Sequence, residues 1–273
     1  MKKLYGVVLS DLHEGSELSP IPPDFETKNG RPIKCSGIQE ELTRAYLELA
    51  DAWRKPDILI VLGDAVDGKQ RKKAGVGVWS TLLEDQSNAA CQLIRAFQAE
   101  RYVVLRGTDY HVDNQGDPIE EQLAKDLGAL KAGEGQYRSA LKFIIEAGDM
   151  RLHFAHHVPT SQTEWFLSTP GAKEGIRLQL QWRRLGHIDA LFRGHNHYWW
   201  YQQGKSQHIV QCPSWQLPTD FMHRRSAEPL VDIGAVRFRI TDAPDDMGET
   251  FRVQKQLFAI AEANTKRVKL GFK

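Results

Sequence analysis

The stretch LYGVVLSDLHEG, Leu4–Gly15, changes character at one point. Leu4 to Leu9 is a short apolar run with β-branched members, which reads as a buried strand. Asp11, His13 and Glu14 follow with almost no spacer, so a carboxylate and an imidazole stand at the strand's carboxyl end. The same change recurs along the chain. Ile58 to Leu62 opens into LGDAVDG, with Asp64 and Asp67, and Val103 to Leu105 opens into RGTDYH, from Arg106 to His111. Arg151 to Ala155 runs into His156 and His157, and Ala190 to Phe192 into RGHNH, with His195 and His197.

Between these runs lie helical patterns. Leu42, Tyr46, Leu49 and Trp53 recur at helical spacing within Ile38 to Trp53, and Trp79 to Phe97 reads as a second long helix. A third helix is predicted to start near Pro118 with Asp117 as its N-cap, and a fourth to run from about Gly171 to Leu185. Leu141 to Glu146 and Arg151 to Ala155 read as two strands joined at Gly148-Asp149. From Tyr198 onward the helical period disappears, and short strands follow: Trp199–Gln202, His208–Gln211, Gly234–Ile240 and Phe251–Phe258. The alternation predicts an α/β (α+β) chain with a mainly parallel sheet and a strand-rich last third. Residues 1–260 read as a single domain. Residues 14–37, which hold Pro20, Pro22, Pro23 and Pro32, form an irregular insertion and a candidate lid. Residues 261–273 form a basic C-terminal tail.

Composition narrows the class. The 273 residues are 41% hydrophobic and 26% charged, enough for a sizeable core, and the formal net charge of +1 argues against a uniformly polyanion-binding surface. No stretch approaches a membrane span of roughly 20 apolar residues, and polar residues interrupt the N-terminal apolar run before it could serve as a signal peptide. The 3 cysteines, Cys35, Cys91 and Cys212, are scattered. A cytoplasmic protein without membrane association is expected; its oligomeric state is not encoded in any recognisable pattern.

In a mainly parallel sheet the carboxyl ends of the strands open onto one edge, where ligands bind. On extended backbone, Asp11 and His13 would point to one side, as would His195 and His197. Mixed carboxylates and imidazoles suit Mn, Fe, Zn or Ni better than Ca or Mg. The groups outnumber what a single cation needs, so two divalent ions sharing a bridging carboxylate is the economical reading. One His-x-His pair would be an ordinary loop. Five clusters, each directly after an apolar strand, are not.

This order of motifs (Asp-x-His, Gly-Asp-x-x-Asp, a Gly-led His motif, His-His, Gly-His-x-His) resembles the calcineurin-like metallophosphoesterases, and the likeness spans Asp11 to His197. The resemblance implies a four-layer αββα sandwich of two mixed β-sheets flanked by helices. It also implies two divalent transition-metal ions, Mn favoured. Asp11, His13 and His197 would hold one ion, Asp64 would bridge, and His156 and His195 would hold the other, with His157 as the alternative to His156. The chain departs from the family at Gly107-Thr108-Asp109-Tyr110-His111, where Gly-Asn-His followed by an acid is usual. Either Thr108 or Asp109 takes the place of the Asn ligand. His111, paired with Asp67, is expected to handle the leaving-group proton. Arg106 and Tyr110 are the candidate substrate contacts, Arg106 through a two-pronged grip on phosphoryl oxygens.

The implied chemistry is hydrolysis of phosphate mono- or diesters by a hydroxide held between the two ions. Nucleotides or other small esters are the favoured substrates. A metal-dependent nuclease is a close alternative, although little chain remains for a DNA-binding region. A protein Ser/Thr phosphatase fits less well, because Gly68 stands where Arg usually follows the second motif. The basic run Lys69–Lys73 could contact phosphate backbone, and Trp215 with Thr219–Ser226 could border the cleft. A reading of another class is a scaffold that keeps the fold with a degraded site; Asp109 and His111 are the residues that decide.

Overall fold

The computed structural model describes residues 2–70, 74–111, 118–131, 133, 135–159, 166–226 and 228–260. Strand β1 (Lys3–Leu9) alternates between two environments: Val7 and Leu9 face a layer of helices, and Val8 faces a second sheet. It pairs in parallel with β2 (Ile58–Val61), which pairs with β3 (Tyr102–Leu105), which pairs with the two-residue β4 (Ser139–Ala140). On the other side β10 (Ile233–Thr241) and β11 (Phe251–Phe258) add antiparallel, giving the order β11-β10-β1-β2-β3-β4. The second sheet has the order β5-β6-β7-β9-β8, built from β5 (Lys142–Ala147), β6 (Met150–Ala155), β7 (Ala190–Arg193), β8 (Trp200–Gln203) and β9 (His208–Gln211). Its three central strands, β6, β7 and β9, are parallel.

The expected sandwich is therefore present. Between the sheets, Val8, Ile60, Leu62 and Val103 meet Leu152, Phe154, Phe192 and Val210. Phe154 and Phe192 stack with centroids 4.8 Å apart, and Phe238 of β10 packs against both. Truncating a buried ring here would cost roughly 3–5 kcal/mol. The outer face of the first sheet is covered by α1 (Gly37–Ala52), α2 (Leu83–Arg95) and α3 (Ile119–Asp126). The outer face of the second is covered by α4 (Thr169–Leu180), where Leu178 packs on Leu191 and Ile209. Among the described residues no helix is long and apolar enough to cross a membrane.

Local chemistry explains the boundaries. Ser36 caps α1 in a capping box with Gln39, and Leu42, Tyr46 and Leu49 bury the face predicted from their spacing. Helix α2 starts at Leu83, four residues later than its apolar pattern suggests. Trp79 is drawn out of the helix because its N–H donates to Gly15 O at 2.8 Å and its ring packs edge-on against Phe25. Pro118 stands at the cap of α3; Asp117 lies outside the described residues. The predicted Gly171–Leu185 helix is broken at Gln181 into α4 and α5 (Trp182–Leu185). A short helix, α6 (Asp220–Arg225), interrupts the last third, where only strands were expected. The irregular insertion is packed down: Ile21 and Phe25 form a small core with Ala89 of α2, and Thr43 of α1 exchanges hydrogen bonds with the Ile21 backbone.

Candidate metal centre

Beyond the ends of β1 and β2 the two chains stay zipped together. Leu62 N donates to Leu9 O, Asp11 N to Gly63 O, His13 N to Asp64 O and Glu14 N to Ala65 O, at 2.8–3.2 Å. From the other sheet, Trp215 N donates to Asp11 O at 3.0 Å and His195 N to Asp11 Oδ2 at 3.0 Å. These bonds bring the ends of both sheets to one edge.

The ligand-type residues do not stand on extended backbone, contrary to the expectation for Asp11/His13 and His195/His197. Asp11, His13, Asp64, His195 and His197 all have positive φ, between 47° and 72°. The left-handed region costs a non-glycine residue roughly 1–2 kcal/mol, and such conformations gather at functional sites. The side chains converge through these twists.

Three clusters result among the described residues, the third formed by His13, Asp67 and His111. In the first, His197 Nε2 lies 3.3 Å and His13 Nε2 3.9 Å from Asp11 Oδ1, with the two imidazole nitrogens 3.2 Å apart. The second joins Asp64, His156 and His195. His156 Nε2 approaches Asp64 Oδ2 at 3.2 Å and Asp11 Oδ1 at 3.9 Å, which links these two clusters. Asp11, His13, Asp64, His156 and His197 are buried, and His195 is half-buried.

Several of these ligand-type side chains are aimed by a partner behind them, as metal-binding side chains are. His156 Nδ1 is 2.8 Å from Leu62 O, which makes Nδ1 the donor and turns Nε2 inward. Ser10 Oγ donates to Asp11 Oδ2. Asp67 Oδ1 holds His13 Nδ1 at 3.1 Å and itself accepts from Gln216 Nε2 at 3.1 Å. Asp11 Oδ1, His156 Nε2 and His197 Nδ1 are among the buried polar atoms with no hydrogen-bond partner. Buried polar atoms are rarely left so, and a cation in each cluster would satisfy Asp11 Oδ1 and His156 Nε2.

Electrostatics agree. Burial alone would lower the His156 imidazole, but Asp64 and Asp11 carry it up to about 10. Burial would raise the Asp64 carboxyl, yet His156 holds it well below the ordinary value. His195 falls to about 4 through burial and its neighbour His156. The pocket selects positive charge.

The third loop is the variant one. Gly107 is required by contact: a Cβ there would lie 1.9 Å from Asp64 Oδ1. Thr108 N then donates to Asp64 Oδ1 at 2.6 Å, and its hydroxyl lies 3.1 and 3.2 Å from the two carboxylate oxygens. Asp109 is exposed and belongs to none of the clusters among the described residues. Thr108, then, stands next to Asp64 and Asp109 does not. His111 Nδ1 lies 2.8 Å from Asp67 O and 3.7 Å from Asp67 Oδ1, and its ring meets His13 edge-on at 4.5 Å. Asp67 thus lies beside both His13 and His111, with its carboxylate closer to His13. Tyr110, 44% exposed, lies at the rim and donates to Gln70 Oε1 at 3.1 Å. Arg106 is engaged elsewhere, with Nε donating to Ser139 Oγ at 2.9 Å and its guanidinium 4.8 Å from the Tyr137 ring. His157 is exposed and stacks on His195 at 5.2 Å; His156 is the inward member of the pair. Trp215 is wholly buried beneath Asp11, whereas α6 is partly exposed. Arg71, Lys72 and Lys73 lie outside the described residues.

Two apposed sheets whose adjoining ends carry paired Asp/His clusters decide the architecture. It is the two-sheet sandwich flanked by helices that the motif order led us to expect.

No family model matches the chain, and neither does any curated protein. Among solved structures, one match is Vps29 of Entamoeba histolytica in its zinc complex, 12% identical over 94% of this chain and 100% of that one, with a TM-score of 0.42. An archaeal phosphodiesterase is 10% identical over 93% of this chain and 100% of its own, with a TM-score of 0.45. A predicted phosphoesterase from Streptococcus pneumoniae is 13% identical over 94% and 99%, with a TM-score of 0.38.

Sequence reading missed Ser10, Gln216 and Glu120, which support the ligands without resembling ligands. Ser10 had a signal, being next to Asp11 at the strand end. Gln216 and Glu120 had none, since their partners lie 149 residues away at Asp67 and 55 and 13 residues away at Ala65 and Gly107.

Proposed function

We propose that this protein is a binuclear metal-dependent phosphoric ester hydrolase, acting on phosphodiesters or other small phosphate esters. The observation that supports it is the contact between the first two clusters: His156 Nε2, buried and unpartnered, lies between Asp64 Oδ2 and Asp11 Oδ1. Asp11, His13 and His197 would hold one divalent ion; Asp64, His156 and His195 would hold the other. Such a donor set favours a borderline metal, and Mn is our choice. When bound, the ions supply Lewis-acid charge for a phosphoryl group and make water a stronger nucleophile at neutral pH.

The chain's own residues divide the remaining work. Thr108 fixes the Asp64 carboxylate through its amide and hydroxyl, and Asp64 would be the carboxylate shared by the two ions. With Nδ1 of His111 turned to Asp67 O, Nε2 is the nitrogen that would give a proton to the leaving oxygen. Gln70 and Gln216 hold Asp67, and through it His13, in place. Tyr110 at the rim is positioned to contact the ester's alcohol side. Arg106 would reach phosphoryl oxygens only by leaving Ser139 and Tyr137, so its part in binding is the weaker assignment.

Protein loaded with Mn should cleave bis-p-nitrophenyl phosphate faster than p-nitrophenyl phosphate. A preference for the monoester would exclude the diesterase reading. Two bound Mn ions with no turnover of either ester would leave the scaffold reading in its place.

A further inference from the structure

We infer that Glu120 is a positioning residue for the candidate centre: its single carboxylate ties together the two loops that carry Asp64 and Thr108. The inference rests on the metal-site reading above and deepens it. Glu120 is the second residue of α3 and has 0% exposure. Its Oε1 accepts from Ala65 N at 3.2 Å, and its Oε2 from Gly107 N at 2.7 Å. Ala65 directly follows Asp64 and Gly107 directly precedes Thr108. Thr108 then bonds back to Asp64. The bonds close a ring that runs Asp64, Ala65, Glu120, Gly107, Thr108 and back to Asp64.

The ring explains why an acid stands there. The β2–β3 ladder ends at Val61 and Val104, so the amides of Ala65 and Gly107 lie beyond its reach. A buried N–H without an acceptor costs about 1–3 kcal/mol. Two oxygens of one carboxylate serve both amides, whereas an amide side chain would offer one oxygen and set an N–H against the other donor. Burying a charged carboxylate is expensive unless opposite charge is near. Glu120's partners here are two backbone amides, with no Lys or Arg among them, and the nearest carboxylate influence is that of Asp64. A cation held at Asp64 would offset both acids at once.

Glu121 supplies the internal control. It is the next residue of α3, and its oxygens accept from Arg138 N, Ser139 N and Ser139 Oγ at 2.7–3.1 Å. It anchors β4 in the same way but away from Asp64.

The test is titration of wild type, Glu120→Gln, Glu120→Asp and Glu121→Gln with Mn alone, followed by elemental analysis after dialysis and by thermal melts. Glu120→Gln should weaken one of the two ions by about tenfold or more and leave the other unchanged. Glu121→Gln should lower the melting temperature while both ions bind as in wild type. If Glu120→Gln does not fold, Glu120→Asp, which keeps the charge but shortens the reach, should show the same selective loss. Wild-type Mn binding in every folded Glu120 variant would overturn the positioning role while sparing the metal site. A wild type that binds no Mn would overturn the metal reading and this one with it.

Discussion

Oδ1 of Asp67 lies 3.1 Å from Nδ1 of His13, so the imidazole is held with Nε2 toward Asp11 and His197. The same carboxylate is 3.7 Å from His111, whose stronger tie is to the Asp67 carbonyl. One carboxylate thus touches a candidate ligand and a candidate proton donor, and removing either neighbour has a different signature. Asp67→Ala should weaken retention of the first ion by about 10–100-fold, with turnover falling in parallel. His111→Ala should leave metal content intact and lower turnover by about 10²–10⁴-fold. Elemental analysis beside ester hydrolysis separates them. Unchanged turnover in His111→Ala removes that residue from the mechanism.

Gly107→Ala should fail at the metal before it fails at the fold. The added methyl would lie 1.9 Å from Asp64 Oδ1 and 2.3 Å from the Asp64 backbone nitrogen, so Asp64 must move. Overpacking of this kind costs about 1–3 kcal/mol. We expect a lowered melting temperature and the loss of one equivalent of Mn. A variant that keeps two ions would show that Asp64 has room to shift without consequence.

Acid should destabilise the protein through a histidine outside the centre. His153, buried on the outer face of β6 beside Arg193, is lowered to about 3 by burial and then by the guanidinium. Its unfolded value is about 6.5. The native state binds the neutral ring, so its contribution is complete above about 6.5 and is lost as pH falls toward 3. Across that window the loss is on the order of 5 kcal/mol. Urea unfolding at pH 7, 5 and 4 should show a steeper decline for wild type than for His153→Asn. Parallel declines would assign the acid sensitivity to other groups.

Much of this was visible in the chain itself, for a physical reason. The parallel strands are buried on both faces and so read as unbroken apolar runs, as in ILIV at β2 and YVVL at β3. The change to Asp and His directly after them marked the edge where Asp11, His13, Asp64, His156, His195 and His197 meet. What was not visible depends on partners distant in sequence. Trp79 leaves its helix for Gly15, and the Glu120 carboxylate finds its donors at Ala65 and Gly107. Helix α6 is a single exposed-to-intermediate turn and a half with no buried residue, so no apolar period announces it. The twisted backbone at the ligand-type residues was hidden too: Asp and His tolerate positive φ better than most residues, yet the left-handed region is still uncommon for any non-glycine residue.

That twist bears on how such a site could decay. Five residues hold shapes that an L-amino acid resists, and their side chains are what make those shapes worthwhile. Drift to glycine at Asp11 or His197 would relax the loop while discarding a ligand. One exchange would thus trade a convergent side chain for a sturdier loop, so the robustness of this edge and its capacity to hold a cation pull in opposite directions.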